Sequence, residues 1–232
     1  MTMRARAALD KSDTVVGYST YIRLIKPLLT GKDVVSTGMT AEAERCREAI
    51  RLASSGRNVA LVSSGDPGIY GMAGLVLEIL RAEASALPFD LDIIPGVPAV
   101  CSAAASIGAP LMHDFAVISL SDLLTPWEVI AGRLKAAAGA DFVIALYNPR
   151  SKGRPDNLTK ALGIIRESRA SDTPAGIVKD STREGEKIII TTLGQVPPEE
   201  VDMTTIVIIG NSQSRRFLEY IVTPRGYMGK RL

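Results

Sequence analysis

The sequence has few of the residues that build metal centres or disulfides: two cysteines and one histidine among 232 residues. Cys46 and Cys101 are isolated, so they form neither the spacing of a metal site nor a disulfide framework. The single histidine, His113, excludes a metal centre built from several histidines, and we expect no bound metal. Both cysteines are expected to be small buried residues, since free cysteine is among the most buried residue types.

Long apolar segments and an excess of one charge are also lacking. The longest apolar runs are too short to span a bilayer, and residues 1–8 lack the apolar core of a signal peptide. We therefore expect no membrane association, and a cytoplasmic protein. The formal net charge is only +2 at pH 7, so there is no strong basic field and nucleic acid is not an expected partner.

The residues that are present alternate between strand-like and helix-like runs, which predicts an α/β fold. The predicted strands are 14–16, 33–36, 59–62, 91–94, 115–120, 142–146, 176–178, 187–192 and 205–209. The predicted helices are 3–11, 21–29, 40–54, 71–84, 99–106, 126–138, 157–167 and 214–221. For the helix over 40–54, Thr40 is the expected N-cap and Gly56 the expected C-terminal glycine.

The spacing of the strands predicts two different sheets. Strands separated by helices give a largely parallel sheet in the first half. In the second half, the connection from 176–178 to 187–192 is too short for a helical crossover, so this pair is predicted to be antiparallel and the sheet mixed. Residues 108–112 are the expected linker, which gives domains 1–112 and 113–232.

Four turns of small residues follow predicted strands. They are 65–68 (GDPG), 95–99 (PGVPA), 146–150 (LYNPR) and 210–214 (GNSQS). Ligands of open α/β sheets bind at the carboxyl ends of strands, and small side chains leave room for a flat ligand, so the four turns predict one extended pocket. Asp66 supplies a carboxylate that can accept hydrogen bonds from ligand hydroxyls. Each turn, taken alone, is equally consistent with an ordinary strand-to-helix connection.

Familiar nucleotide motifs are missing. The sequence has no Gly-x-Gly-x-x-Gly and no Gly-x-x-x-x-Gly-Lys-Ser/Thr, which disfavours a nicotinamide cofactor or a nucleoside triphosphate. No spacing supports a Ser/His/Asp arrangement.

Motifs along nearly the whole chain carry a resemblance to a known family. They are VGYSTY (16–21), STGM (36–39), SGDPGIYGMA (64–73), PGVPA (95–99), GAPLMHDF (108–115), ISLSDLLTPW (118–127), YNPRS (147–151) and GNS (210–212). On these residues the chain resembles the tetrapyrrole (corrin/porphyrin) methyltransferases, most closely the subgroup that methylates C-17 of precorrin-3B. Residues 119–127 together with 147–151 are the most specific carriers.

The resemblance implies two α/β domains with a ligand cleft between them, S-adenosyl-methionine as methyl donor, S-adenosyl-homocysteine as product, and a homodimer. The cofactor-binding positions that it implies are Gly65, Asp66, Pro67, Ile69, Tyr70, Ser102, Ala103, Leu146, Tyr147 and Asn211. The family's opening strand, which ends in Gly-x-Gly-Pro-Gly, has no counterpart in this sequence. We expect its absence to leave strand edges exposed.

The reaction that the resemblance implies is methylation of precorrin-3B with contraction of the macrocycle to precorrin-4. Contraction needs a base near a hydroxyl of the macrocycle, and His113 and Asp114, with Asp122 behind them, are the candidates. The substrate bears many carboxylates, which arginine binds bidentately. The expected substrate contacts are Ser119, Ser121, Arg150, Arg154 and Arg183, although for each arginine an ordinary solvated surface charge is the more common role.

Three alternatives stay open. The chain could be another methyltransferase of the superfamily, acting on RNA or a protein side chain, although the near-neutral charge argues against RNA. It could be a non-catalytic tetrapyrrole-binding protein, which would bind precorrin without turnover. A nicotinamide oxidoreductase is the least supported, because its fingerprint is absent. The sequence leaves open whether the macrocycle carries cobalt.

Overall fold

The structure is a computed structural model, and it describes residues 1–83, 87 and 89–227. The chain divides into two compact units, Met1–Pro98 and Ala99–Leu232. The boundary therefore lies earlier than the expected one after Met112. It does so because helix α5 (Ala99–Ile107) contributes Val100, Ala103 and Ile107 to a core cluster whose other members belong to the second unit.

The first unit contains a three-stranded sheet of β1 (Thr14–Tyr18), β2 (Asp33–Thr37) and β3 (Val59–Val62) in the order β2-β1-β3. Both pairings are parallel, so the parallel sheet predicted for the first half is confirmed. The helices of this unit are α1 (Met3–Lys11), α2 (Ser19–Leu24), α3 (Glu42–Ser54) and α4 (Ala73–Glu83), with a 3-10 turn at Lys26–Leu28. Since parallel strands end at one edge, the loops after β1, β2 and β3 share that edge.

Three local predictions in this unit are wrong and one is confirmed. The run 91–94 forms no strand, since no described strand lies beside it and a strand requires a hydrogen-bonded neighbour. The predicted helix 21–29 ends early, at Leu24. Pro27, three residues further on, has no backbone N–H to donate and therefore cannot continue the helix. Thr40 is not the N-cap, because its φ is +66° and its hydroxyl donates to Met39 O. Gly56 does end α3, with φ +87° and its N–H donated to Ala53 O.

The second unit contains a five-stranded mixed sheet, in which the four pairs of neighbouring strands do not all run in the same relative direction. Its strands are β5 (Phe115–Ser119), β6 (Val143–Tyr147), β9 (Thr205–Ile209), β7 (Pro174–Lys179) and β8 (Lys187–Thr192), in that order across the sheet. The β5–β6 pair is parallel and the other three pairs are antiparallel, which confirms the mixed sheet and the predicted antiparallel pair.

Side chains of β6 alternate between two cores on the two faces of this sheet. Ile144 and Leu146 pack with α6 (Trp127–Gly139) and α7 (Asn157–Arg166), whereas Val143, Ala145 and Tyr147 pack with α5. All five residues are buried, as expected for a strand covered on both faces.

The predicted helix 214–221 is wrong, because this segment is a β-hairpin. Strands β10 (Arg215–Phe217) and β11 (Tyr220–Val222) pair antiparallel, and β11 also pairs in parallel with β4 (Gly108–Ala109). The apolar residues of 214–221 have helix-like spacing, but β11 pairs its backbone with both β10 and β4, and of the three residues of β11 only Ile221 is buried. The expected linker 108–112 is thus part of the second unit.

Among the described residues, no helix has the length and apolarity to cross a membrane.

Candidate functional site

The loop after β3 is held by hydrogen bonds within its own backbone and side chains. Gly68 N donates to Asp66 Oδ1 at 2.8 Å, and Ala73 N donates to Pro67 O at 3.0 Å. Tyr70 has a φ of +54°, a left-handed conformation that is strained for a residue with a side chain. Ile69 and Tyr70 are exposed beside Gly68. The loop therefore offers bare backbone next to an apolar surface.

The second small-residue turn of this unit touches the first one. Gly96 N donates to Asp66 Oδ2 at 2.8 Å. A Cβ at Gly96 would lie 1.9 Å from Gly65 O, so only glycine allows this approach. Two of the four predicted turns, with the expected cofactor residues Gly65, Asp66 and Pro67, thus meet at one edge of the first sheet.

Arg45 is a buried charge at the same edge of this sheet, and the sequence analysis did not single it out. Only 3% of Arg45 is exposed. Its Nε donates to Thr37 Oγ1 at 2.7 Å and its Nη2 to Gly38 O at 2.8 Å, and its guanidinium lies 5.8 Å from the centre of the Tyr18 ring. The helical spacing of the sequence could have revealed that Arg45 is buried, because Arg45, Ala49 and Leu52 lie on one face of α3 and all three are buried.

In the second unit, the carboxyl ends of β5 and β6 bring several predicted residues together. Asn148 Nδ2 donates to Ser119 Oγ at 2.9 Å, and Ser121 N donates to the same oxygen at 3.2 Å. Asn148 has a φ of +49°. Arg154 Nη1 donates to Ser121 Oγ at 3.0 Å. Ser119, Ser121 and Arg154 therefore form one hydrogen-bonded cluster, which we call the β5–β6 cluster.

Arg154 is the charge at the centre of the β5–β6 cluster. Its side chain is 10% exposed, and its Nε lies 3.8 Å from Asp122 Oδ1. That Nε is buried and has no hydrogen-bond partner among the described residues. Arg150 donates to Pro198 O at 3.0 Å. Arg183, on the β7–β8 loop, lies at the same edge, because β7 and β6 are both antiparallel to β9 and therefore run in the same direction.

His113 and Asp114 lie at the opposite end of β5 from Asp122. They precede Phe115, the first residue of β5, whereas Asp122 follows its last residue, Ser119. A five-residue strand spans about 16 Å, so the structure does not bring the three expected catalytic residues together. His113 Nδ1 accepts a hydrogen bond from Asp114 N at 2.9 Å, and both side chains are exposed.

Asp141 forms a second polar cluster at the His113 edge, which the sequence analysis missed. It accepts hydrogen bonds from Ser212 N at 3.0 Å and Ser212 Oγ at 2.7 Å, and it pairs with the buried Arg169. Burial alone would raise the pKa of Asp141, but the hydrogen bonds from Ser212 and the charges of Arg169 and His113 outweigh burial and lower it. These contacts tie together the turns that precede β6 and follow β9.

Asn211 belongs to that same edge and not to the β5–β6 cluster. Because β9 is antiparallel to β6, the carboxyl end of β9 lies beside the start of β6. Asn211 is buried, and its Oδ1 accepts from Gln213 N at 3.0 Å and from Ser214 Oγ at 3.2 Å. Within the second unit, the turns 146–150 and 210–214 therefore lie at opposite edges of the sheet and do not meet at one edge.

The remaining expected cofactor residues lie on α5 and β6. Tyr147 Oη accepts a hydrogen bond from Val100 N at 2.8 Å, which satisfies an amide at the N-terminus of α5. Leu146 and Ala103 are fully enclosed by the two cores, whereas Ser102 is half-buried. Cys46 is buried as expected, but Cys101 is exposed on α5, so that prediction is wrong for Cys101. The residues that the structure describes contain no group of three metal-ligating acidic, histidine or cysteine side chains.

Comparisons with known proteins show which family the sequence resembles. The sequence model of the family described as Tetrapyrrole (Corrin/Porphyrin) Methylases matches residues 1–197. A Salmonella typhimurium protein named probable cobalt-factor III C(17)-methyltransferase is 52% identical over 227 residues, which cover 98% of this chain and 93% of that protein. A Sinorhizobium sp protein named precorrin-3B C(17)-methyltransferase is 39% identical over 235 residues, which cover 99% of this chain and 92% of that protein.

A solved structure is similar over the same extent. The crystal structure of the methyltransferase CobJ has a TM-score of 0.92 and 39% sequence identity, and the match covers 97% of this chain and 93% of that chain. Two further relatives are much longer, and this chain spans 43% and 50% of their length.

Proposed function

The chain belongs to the tetrapyrrole (corrin/porphyrin) methylase family, and on that premise we propose that it methylates C-17 of precorrin-3B or of its cobalt-bearing counterpart in cobalamin biosynthesis. The observation that carries the proposal is near full-length similarity to relatives named for C-17 methylation, at 52% and 39% identity. The higher identity belongs to the relative named for cobalt-factor III, which favours the cobalt-bearing substrate.

S-adenosyl-methionine would supply an electrophilic methyl group. The residues of the first unit fit such a ligand, because the loop after β3 combines the bare backbone of Gly68 with the exposed apolar surfaces of Ile69 and Tyr70. Backbone amides and carbonyls can hold the polar parts of a nucleoside while the apolar side chains cover its base. The chain's contribution is to orient the methyl donor and exclude water.

The β5–β6 cluster is the proposed site for the acidic macrocycle. Arg154 and Arg150 are largely held in place by protein oxygens, so little rotamer freedom remains to be lost when carboxylates bind. Arg183 lies at the same edge. The opposite-edge position of His113 and Asp114 leaves Asp122 as the proposed base for ring contraction, because Asp122 alone of the three lies beside the cluster.

We also propose that the protein is a homodimer of the cytoplasm. Phe217, Leu218 and Tyr220 expose apolar surface on the β10–β11 hairpin, which a second copy of the chain could cover. Cys101 exposes a thiol, which suits a reducing compartment. Light scattering after size exclusion would test the dimer, with a monomer mass contradicting it.

The function is tested by calorimetry and turnover on the same preparation. S-adenosyl-homocysteine should bind, and S-adenosyl-methionine should methylate cobalt-factor III, precorrin-3B or both. Binding of the macrocycle without turnover would favour the non-catalytic tetrapyrrole-binding protein. Absence of S-adenosyl-homocysteine binding would contradict the methyltransferase.

A further inference from the structure

We propose that Asp66 is a positioning residue that fastens two turns of the first unit to each other, and that its carboxylate is not a direct contact for the methyl donor. The two turns are residues 63–72, after β3, and the Pro95-Gly96 turn. We call this arrangement the Asp66 clasp. The inference deepens the proposed function of the same loop and rests on that function only for its consequence on ligand binding.

Both oxygens of the carboxylate are engaged by backbone amides. Oδ1 accepts from Gly68 N, two residues ahead in the same loop, at 2.8 Å. Oδ2 accepts from Gly96 N, thirty residues away, also at 2.8 Å. A charged acceptor makes such bonds about twice as strong as a neutral one. One side chain therefore fixes both the internal shape of its own loop and the position of a distant turn.

The backbone contact beside the clasp supports this role. The Cβ that any other residue would place at position 96 would lie 1.9 Å from Gly65 O and 3.1 Å from Asp66 Cα. The two turns are therefore in direct backbone contact, and the hydrogen bond from Gly96 N holds that contact closed. Few other bonds fix the second turn: among the described residues, Pro95 O accepts from Thr2 Oγ1 at 3.1 Å.

The chemistry of the carboxylate distinguishes a clasp from a ligand contact. Asparagine has the same shape, but it replaces one acceptor oxygen with an NH2 group that would face an amide N–H. Asp66→Asn therefore removes one of the two bonds without leaving a cavity. If Asp66 works as a clasp, the loss of this hydrogen bond loosens the contact between the two turns and weakens the binding of every ligand held there to the same extent. If Asp66 binds a ribose hydroxyl, the loss depends on that hydroxyl.

Hydrogen exchange tests the clasp without any ligand. In the wild-type protein, the amides of Gly68 and Gly96 should be protected, and in Asp66→Asn at least one should exchange about tenfold faster or more. Asp90→Asn, an exposed carboxylate of the same unit, is the matched control and should change neither amide. Unprotected Gly68 and Gly96 amides in the wild-type protein would overturn the proposal, whether or not the variant folds.

Calorimetry with three ligands then tests the consequence. S-adenosyl-homocysteine and its 2′-deoxy and 3′-deoxy analogues should each bind Asp66→Asn about tenfold more weakly than they bind the wild-type protein. A loss that vanishes for one deoxy analogue would show a direct hydroxyl contact and overturn the clasp. If the wild-type protein binds none of the three, the proposed function fails, and the exchange data alone decide the clasp.

Discussion

Three arginines with little exposed side chain, one in the first unit and two in the second, fix the loops at the strand ends. Arg45 bonds to Thr37 Oγ1 and Gly38 O, Arg154 to Ser121 Oγ, and Arg169 to Asp141 and Phe142 O. Removing a guanidinium from water is costly unless its hydrogen bonds are made, so each arginine enforces the conformation of the loop that supplies its acceptors. Neither Arg45 nor Asp141 was predicted, because periodicity identifies buried positions and not the oxygens that will meet a buried charge.

Arg45→Lys should lower the free energy of unfolding by about 2 kcal/mol, since lysine cannot reach the acceptors on both sides of the guanidinium. Urea unfolding measures the change. Arg47→Lys, in the same helix with an exposed ion pair to Glu83, is the control and should cost less than about 0.5 kcal/mol. Equal effects of the two substitutions would show that Arg45 does not fix the loop after β2.

Asp122→Asn should lower kcat about 100-fold, the typical contribution of a general base, while leaving S-adenosyl-homocysteine affinity within about twofold. His113→Gln should leave kcat within about twofold, because His113 lies at the other end of β5. Steady-state kinetics with the macrocycle measures both. The reverse pattern would place the base at the His113 edge.

At the level of elements, the direction of β9 decides which loops can act together. It is antiparallel to β6, so the turn 210–214 lies beside the start of β6, far from the turn 146–150. The rule that ligands gather at carboxyl strand ends applies among parallel strands, and the sequence does not reveal the direction in which β9 pairs. The β4–β11 pairing likewise depends on distant residues, which is why 214–221 was predicted as a helix.

Gly108→Ala should destabilise the second unit by about 2 kcal/mol, because φ is +118° and the new Cβ would lie 2.8 Å from Ile221 O. Gly132→Ala, inside α6 with open space around it, should stabilise by about 0.5–1 kcal/mol. Thermal unfolding of both variants makes the comparison. A neutral Gly108→Ala would contradict the β4–β11 pairing.

The ion pair between Lys179, at the end of β7, and Asp202, in the turn before β9, should make the free energy of unfolding fall at acid pH. Burial alone would raise the pKa of Asp202, but hydrogen bonds from Lys179, Thr204 and Thr205 outweigh burial and lower it. A carboxyl group with a lowered folded pKa stabilises above its unfolded pKa, about 3.9, and loses that contribution as pH falls through the folded pKa.

Asp202→Asn should therefore lower the urea midpoint at pH 7, and the difference from wild type should shrink towards pH 2.5. Asp172→Asn, an exposed carboxylate for which no comparable contact is described, is the control and should show no such dependence. A difference that stays constant from pH 7 to pH 2.5 would show that the charge of Asp202 does not contribute.

At the level of the whole molecule, the sequence was sufficient for the fold class and insufficient for the site. Apolar runs such as 59–62, 187–192 and 205–209 matched β3, β8 and β9, because a short continuous apolar run is itself a strand signal in the sequence. The motif residues identified the family, and Ser119, Ser121 and Arg154 do form one cluster. The prediction that His113, Asp114 and Asp122 lie together was wrong, because residues close in sequence are separated when a strand such as β5 lies between them.

The most direct test of the account is transfer of a 13C-labelled methyl group from S-adenosyl-methionine to cobalt-factor III and to precorrin-3B, with the product read by NMR. We predict one new methyl resonance, assigned to C-17 of a ring-contracted product, together with one equivalent of S-adenosyl-homocysteine. Label at another position, or no transfer to either macrocycle by protein that binds S-adenosyl-homocysteine, would contradict the proposed activity.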